Sequence, residues 1–181
     1  MNKVEANDAL WWKVTRADDV EALRALLDAG ADPNAESNDA GRTALFYAKQ
    51  DALTLLLERG ASPNAQDSLG KTPLIYRADA PGGDDVEALC VLLDWGADME
   101  LEDNTGNTAL VTALDGWQIE AAALLLERGA DITEEVRFVA RFRDSLRPWF
   151  GAVALLKAVE QSRSLDASLP LTPSPTGHHR L

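Results

Sequence analysis

Leucine-rich apolar runs and short polar stretches follow one another along the chain with a period near 33 residues. Each apolar run has helical spacing and ends in a glycine, at Gly30, Gly60, Gly96 and Gly129. The gaps between these glycines are 30, 36 and 33 residues. The polar stretch after each glycine is rich in turn-forming residues and is too short for a helix. This period predicts repeats that each contain two helices and a turn-bearing connection.

A second motif lies between the glycines and predicts where the first helix of each repeat begins. Its threonines, Thr43, Thr72 and Thr108, suit the N-cap position, because a hydroxyl there accepts a hydrogen bond from a free backbone N–H. The residues behind them predict a short helix with an apolar side turned inward, carried by Leu45, Ala48, Leu74, Ala78, Leu110 and Ala113. The second helix then ends at a glycine in the left-handed conformation.

In these two motifs the chain resembles the ankyrin repeat family. Thr72-Pro-Leu matches the start of the family's Thr-Pro-Leu-His signature, and Gly30-Ala-Asp-Pro-Asn matches its Gly-Ala-Asp-x-Asn. The resemblance covers about residues 7–132 and implies an all-α repeat solenoid of helix-turn-helix units joined by β-hairpins or loops. We expect four repeats, at about 7–36, 37–66, 67–102 and 103–132.

The chain departs from the family pattern at the position of the signature histidine. Phe46, Ile75 and Val111 stand there, so apolar packing has to replace the histidine hydrogen bonds between repeats. The second repeat is about four residues short near 49–51, and the third is about three residues long at 80–85.

Residues 133–160 predict two further helices that complete a domain of residues 1–160. Asp131 and Glu134 can form a capping pair at the start of the first helix, and Pro148 predicts a break before a second helix at about 149–159. One arc of the first helix gathers five apolar side chains, Phe138, Val139, Phe142, Leu146 and Trp149. We expect this stripe to seal the last repeat, since a solenoid needs a cap. A basic, aromatic docking helix is the alternative.

The last segment, residues 161–181, is rich in proline and small polar residues and predicts a flexible tail. It contains both histidines of the chain, His178 and His179. The repeats therefore offer no histidine as a catalytic base or zinc ligand. Cys90 lies in a leucine-rich helix without such a partner. We expect no enzyme activity, no catalytic residue, no metal site and no cofactor.

Charge indicates the kind of partner. The chain carries −13, and residues 1–131 hold 10 basic and 25 acidic side chains, which gives −15. An acidic body repels nucleic acids and anionic membranes and attracts a basic protein surface. Solubility alone also explains such acidity. With one cysteine and no long apolar segment, we expect a cytoplasmic protein. We expect it to be a monomer, because a capped solenoid has no open end.

The resemblance also implies where a partner binds, namely at the hairpin tips and on the outer side of the first helices. The positions that match are Glu36, Asp39, Arg42, Gln66, Ser68, Leu69, Lys71, Asp79, Glu102, Asn104, Thr105, Asn107, Asp115 and Trp117. Trp117 stands where the family has a small residue or glycine, and is either an exposed binding residue or a side chain packed over the turn.

These features predict a protein–protein interaction module. Its specific form would be an acidic inhibitor that resembles immunity proteins and neutralises a basic partner. The alternatives are a scaffold or adaptor, and a regulatory subunit that docks through the C-terminal aromatic helices.

Overall fold

The computed structural model describes residues 7, 9, 10, 19–36, 40–80, 84–147 and 151–168. Across these residues the regular elements are helical, and one isolated β-bridge joins Glu36 to Thr43. In chain order the elements are α1 (Val20–Asp28), a 3₁₀ turn (Ala44–Phe46), α2 (Gln50–Glu58), α3 (Pro73–Ala78), α4 (Asp84–Asp94), α5 (Ala109–Asp115), α6 (Ile119–Glu127), α7 (Glu134–Leu146) and α8 (Ala152–Ser168).

These elements stack in two layers, as the predicted all-α repeat solenoid requires. The inner layer runs from the 3₁₀ turn through α3 and α5 to α7, each packed on the one before. The outer layer runs from α1 through α2, α4 and α6 to α8. Because α7 and α8 continue the two layers, they form a further helical pair of the same design.

Threonine side chains cap three of the four described inner-layer elements, and the one exception has a clear structural reason. The Thr72 hydroxyl accepts a hydrogen bond from the Ile75 N–H (3.2 Å), and Thr108 does the same for Val111 (3.4 Å). Thr43 does not cap, so that prediction is wrong. Only a single 3₁₀ turn follows it, since the second repeat is too short for a full helix, and its buried hydroxyl has no hydrogen-bond partner among the described residues.

The core is one continuous cluster of leucine, alanine and other apolar side chains. The side chains at the position of the family's histidine, Phe46, Ile75 and Val111, are buried in the inner layer. They therefore contribute to the apolar packing between repeats that the sequence predicted. The predicted inward side chains of the first helices are buried as well.

Polar contacts link the outer edges of successive repeats. Gly60 and Gly96 end α2 and α4 at φ +88° and +81°, as predicted. Asn34 donates to the Gly60 carbonyl (2.9 Å) and accepts from the Ser62 N–H (2.7 Å). Asn64 repeats this arrangement one unit later, at the Gly96 carbonyl and at the N–H of Asp98. Each asparagine thus satisfies backbone groups at the end of the next outer helix.

The first C-terminal helix faces the repeats with a different side from the one predicted. Helix α7 is capped by Thr133, whose hydroxyl accepts from the Val136 N–H (3.2 Å), so the predicted pair of Asp131 and Glu134 is not the cap. It buries Val136 and Ala140 against the preceding repeat.

The predicted sealing stripe instead faces away from the core. Phe138, Phe142 and Leu146 are 63%, 51% and 57% exposed, while Val139 is half-buried. Trp149, the last predicted member, lies outside the described residues. The stripe is displaced because the small Ala140 beside Val136 makes a flatter surface for packing on α5 than two phenylalanines would.

The second C-terminal helix is longer than predicted. Helix α8 continues past Val159 to Ser168, so residues 161–168 of the predicted tail are helical. Arg163 accounts for part of this extension, because its guanidinium donates to the carbonyls of Leu126 (2.7 Å) and Ala130 (3.2 Å) at the end of α6. A cation at a helix C-terminus also interacts favourably with the helix dipole.

Candidate protein-binding site

The hairpin tips of the repeats are built by two aspartates that the sequence analysis did not single out. The buried Asp67 carboxylate accepts hydrogen bonds from the N–H groups of Leu69 and Lys71, both at 2.9 Å. The Asp67 N–H donates to the Lys71 carbonyl (2.9 Å), and the Gly70 N–H donates to the Asp67 carbonyl (2.9 Å). This carboxylate therefore organises the whole tip.

Asp103 builds the next tip in the same way. Its carboxylate accepts from the N–H of Thr105 (2.8 Å), the Thr105 hydroxyl (2.6 Å) and the Asn107 N–H (3.1 Å). Burial by itself would raise the pKa of Asp103, but these hydrogen bonds and the nearby Lys71 charge outweigh it and lower that pKa below its usual value. The charged carboxylate is thus the form that stabilises the turn.

The tips are also joined to one another. The Asn104 N–H donates to the Leu69 carbonyl (3.0 Å), and its side chain donates to the Ser68 carbonyl (3.2 Å). Gln66 bridges to the Glu102 carbonyl (3.2 Å). On the other side, the Ser68 N–H donates to the Ala40 carbonyl (2.9 Å). We call these joined tips, residues 66–71 and 102–107 together with Glu36 and residues 40–42, the hairpin row.

Gly70 allows the two tips to approach this closely. Its φ of +73° lies in the left-handed region. A Cβ atom at this position would lie 2.5 Å from the Asn104 side-chain oxygen and 2.8 Å from the Asn104 backbone nitrogen. Glycine is therefore required twice here, for its conformation and for the space it leaves.

Arg42, one of the predicted binding residues, is engaged within the hairpin row. Its Nε donates to the Asp67 carboxylate (2.9 Å), and another guanidinium nitrogen donates to the Tyr47 hydroxyl (2.9 Å). The guanidinium also lies over the Tyr76 ring, 4.7 Å from its centre. The hydrogen bond to Tyr47 raises the pKa of Arg42, and burial raises the pKa of Tyr76. Arg42 thus links two repeats.

Six polar or charged residues predicted for the row remain exposed, namely Glu36, Gln66, Ser68, Glu102, Asn104 and Thr105. Leu69 is 55% exposed at the middle of the row, which makes it the large apolar side chain that the tips present. Lys71 and Asn107 are half-buried. Asp79 is exposed just past the end of α3, whereas Asp39 lies outside the described residues. The row therefore presents one apolar side chain among carboxylates and amides.

Two further predicted residues, one at the end of α5 and one in the turn after it, both contact α7. Asp115 pairs with Arg143 of α7. The half-buried Trp117 lies beneath Arg143 and Arg147, whose guanidinium carbons are 5.0 and 4.7 Å from the ring centre. Trp117 also has φ +63°, a conformation that suits the glycine or small residue of the family pattern. Of the two alternatives for Trp117, the structure therefore agrees with a side chain packed over the turn.

Asp67 and Asp103 could have been found from the sequence. Both stand three residues before the turn glycine, as Asp67-x-x-Gly70 and Asp103-x-x-Gly106, and both are followed by the capping threonine in the same phase. By contrast, no sequence pattern marks Tyr47 and Tyr76, whose rings meet edge to face at 5.6 Å, because they come from different repeats.

Other kinds of site find little support in the described part of the chain. No group of three or more histidine, cysteine, aspartate or glutamate side chains there is placed to hold a metal ion. Cys90 is a half-buried free thiol. No helix within the described ranges is long and apolar enough to cross a membrane.

Comparison with known proteins agrees with this architecture. A family model for ankyrin repeats, in three copies, matches residues 49–136. The match begins just before α2 and ends in the first turn of α7. No curated protein sequence matches the chain. The two-layered stack and the joined hairpin tips agree with this match, which identifies ankyrin repeats within residues 49–136.

Proposed function

We propose that this chain is a non-enzymatic, cytoplasmic module whose hairpin row binds a basic surface of a partner protein. Ankyrin repeats mediate protein–protein interactions, which sets the class of function. One observation carries the choice of surface: the exposed Leu69 stands on a tip that hydrogen bonds hold from both sides. An apolar side chain in a polar rim is the common composition of a binding hot spot.

The rigidity of the row favours binding. The tips at 66–71 and 102–107 are each closed by an aspartate and joined through Asn104. A surface that is ordered before binding loses less conformational entropy when the partner arrives. Leu69 and the polar groups around it are therefore presented in one arrangement.

Charge favours a basic partner. Glu36, Asp79 and Glu102 are exposed on or beside the row, and no ion pair engages them among the described residues. The body formed by residues 1–131 carries −15, which speeds encounter with a cationic surface at low salt. Proteins that act on nucleic acids carry such surfaces. An inhibitor of the immunity type would cover such a cationic surface and prevent the partner's substrate from binding there.

Capture from a lysate of the source cell, washed at low and then at high salt, tests the proposal. The test variant combines Leu69→Ala with Glu36→Gln, Asp79→Asn and Glu102→Gln. The control combines Glu58→Gln, Glu120→Gln and Glu127→Gln, which removes the same charge from exposed positions of the outer layer. We expect one basic partner that the control retains, that the test variant loses by at least about tenfold in affinity, and whose activity the wild-type chain inhibits. Equal loss by both variants would reduce the acidity to a general charge effect and overturn the proposal.

A scaffold, adaptor or regulatory subunit that docks through the C-terminal helices is the second candidate. The outward stripe of Phe138, Phe142 and Leu146 favours it. An apolar interface on this stripe would resist salt. A partner that remains at high salt, and that is lost with Phe142→Ser but not with the hairpin-row variant, would favour this candidate.

A further inference from the structure

The exposed stripe of α7 lies on the face by which an inner helix contacts the next repeat. The caps Thr108 and Thr133 align the two helices, so Phe138 takes the register of Ala113. Ala113 is fully buried, whereas Phe138 is 63% exposed. Among the described residues α7 is the last helix of the inner layer, and it presents an apolar side where a polar one is expected of a terminal repeat.

The stripe has the shape of a helix-packing ridge. Phe138, Phe142 and Leu146 follow one another at intervals of four residues. The rings of Phe138 and Phe142 are stacked, with centres 6.4 Å apart and planes 8° from parallel. Ridges of this spacing interdigitate with an equivalent ridge on another helix.

The charges beside the ridge complement a second copy of the same helix. Glu134 and Glu135 are exposed at the beginning of α7, where Glu134 also pairs loosely with Arg137 (3.4 Å), and Arg141 is exposed two turns later on the same flank as Glu134. Arg143 is held inward by Asp115 and Trp117. When two copies of α7 pair antiparallel about a two-fold axis, the same flank of each meets, so the acidic end of one lies beside the basic middle of the other. A uniformly acidic or basic partner would match only half of this flank.

We propose that the chain self-associates through α7, with Phe138, Phe142, Leu146, Glu134 and Arg141 paired antiparallel across a two-fold axis. The expectation of a monomer depended on the stripe sealing the last repeat, and the stripe faces outward. None of the hairpin row belongs to this interface. The dimer therefore presents two binding rows, which strengthens attachment to a partner that carries two sites.

Sedimentation velocity of the full chain over about 1 µM to about 1 mM tests the pairing, because an interface centred on one helix is small and its dimer concentration-dependent. We expect a dimer whose dissociation constant rises at least about tenfold in Phe142→Ser. The control is Leu69→Ser, which removes an equally exposed apolar side chain from the hairpin row. A wild-type chain that stays monomeric to the highest concentration, or a dimer that Phe142→Ser leaves intact, would overturn the proposal.

Charge exchange tests the antiparallel arrangement. Glu134→Arg and Arg141→Glu should each weaken the homodimer, because like charges then meet twice. An equimolar mixture of the two variants should recover the wild-type dissociation constant, since each contact again joins opposite charges. A mixture no tighter than either variant alone contradicts the arrangement. Partner capture by the hairpin row is unaffected by these changes, so the failure of one proposal leaves the other testable.

Discussion

The guanidinium carbon of Arg147 lies 4.7 Å from the centre of the Trp117 ring, and this contact joins the end of α7 to the turn between α5 and α6. Arg143 lies over the same ring at 5.0 Å. Trp117 nevertheless has φ +63°, which costs a non-glycine residue about 1–2 kcal/mol. The residue thus combines backbone strain with contacts that hold the last helical pair.

The two effects at Trp117 can be separated by two substitutions. Trp117→Ala removes the ring and keeps the strain, and should lower the free energy of unfolding by about 2 kcal/mol. Trp117→Gly removes the ring and relieves the strain, so it should be about 1 kcal/mol more stable than the alanine variant. Urea unfolding followed by circular dichroism measures both. Ala154→Gly on the exposed side of α8 is the control, where glycine should be the less stable residue by about 1 kcal/mol. If the alanine variant at 117 were more stable to urea than the glycine variant, no strain would be relieved at this position.

Gly70→Ala should destabilise the hairpin row more than a change of φ alone explains. The new Cβ would meet both the side chain and the backbone nitrogen of Asn104. Gly60→Ala is the matched control, because Gly60 also has positive φ (+88°) but has no atom within 4 Å of its hypothetical Cβ. We expect the control to lose about 1 kcal/mol and Gly70→Ala at least about 2 kcal/mol in chemical unfolding. Equal losses of unfolding free energy in the two variants would mean that the two tips move apart to accommodate the new Cβ without a free-energy cost.

Asp103 should make the stability of the chain depend on pH in the acidic range. Its folded-state pKa is lowered, so its charged form contributes stability above the unfolded-state pKa of about 4, and this contribution is lost as pH falls through the folded-state value. The difference in unfolding free energy between wild type and Asp103→Asn should therefore be largest near neutral pH and shrink below about pH 4. Asp131→Asn is the control, as its exposed carboxylate accepts no hydrogen bond within the described ranges. The same pH dependence in both variants would contradict a specific role for Asp103.

Arg163 should hold the second half of α8 against the repeats. Its guanidinium satisfies two carbonyls at the end of α6, and hydrogen bonds from a charged donor are worth about 1.5–3 kcal/mol before the entropy of the side chain is counted. Arg163→Ala should therefore speed amide hydrogen exchange in α8 and cost about 1 kcal/mol of stability. Lys157→Ala removes the same charge from an exposed position of the same helix and should change neither measurement. Unchanged exchange in Arg163→Ala would mean that apolar contacts alone hold the helix.

Much of the repeat architecture is predictable because its signals are local. The glycines after each outer helix, and the threonines Thr72 and Thr108 before the inner ones, act on backbone groups within a few residues. Thr43 shows the limit of such signals, since the residue has the right type but the repeat behind it is too short for a helix to form.

The candidate binding face was predicted less completely. The phase of the repeats placed Leu69 and Glu102 at hairpin tips, where the structure has them exposed. It also placed Arg42 and Trp117 there, although both are engaged by side chains from other elements. The phase of a repeat indicates the backbone position of a residue, but not which group of another element its side chain contacts.

By itself, the sequence determined the period, the helical pairs and the turns between them, because hydrophobic spacing, caps and left-handed glycines depend on neighbouring residues. Only the tertiary structure decided which side of α7 faces the repeats. That helix has two apolar sides, one with Val136 and Ala140 and one with Phe138 and Phe142. Either side could have packed inward on spacing alone, and the surface of α5 that receives the helix accepts the smaller one.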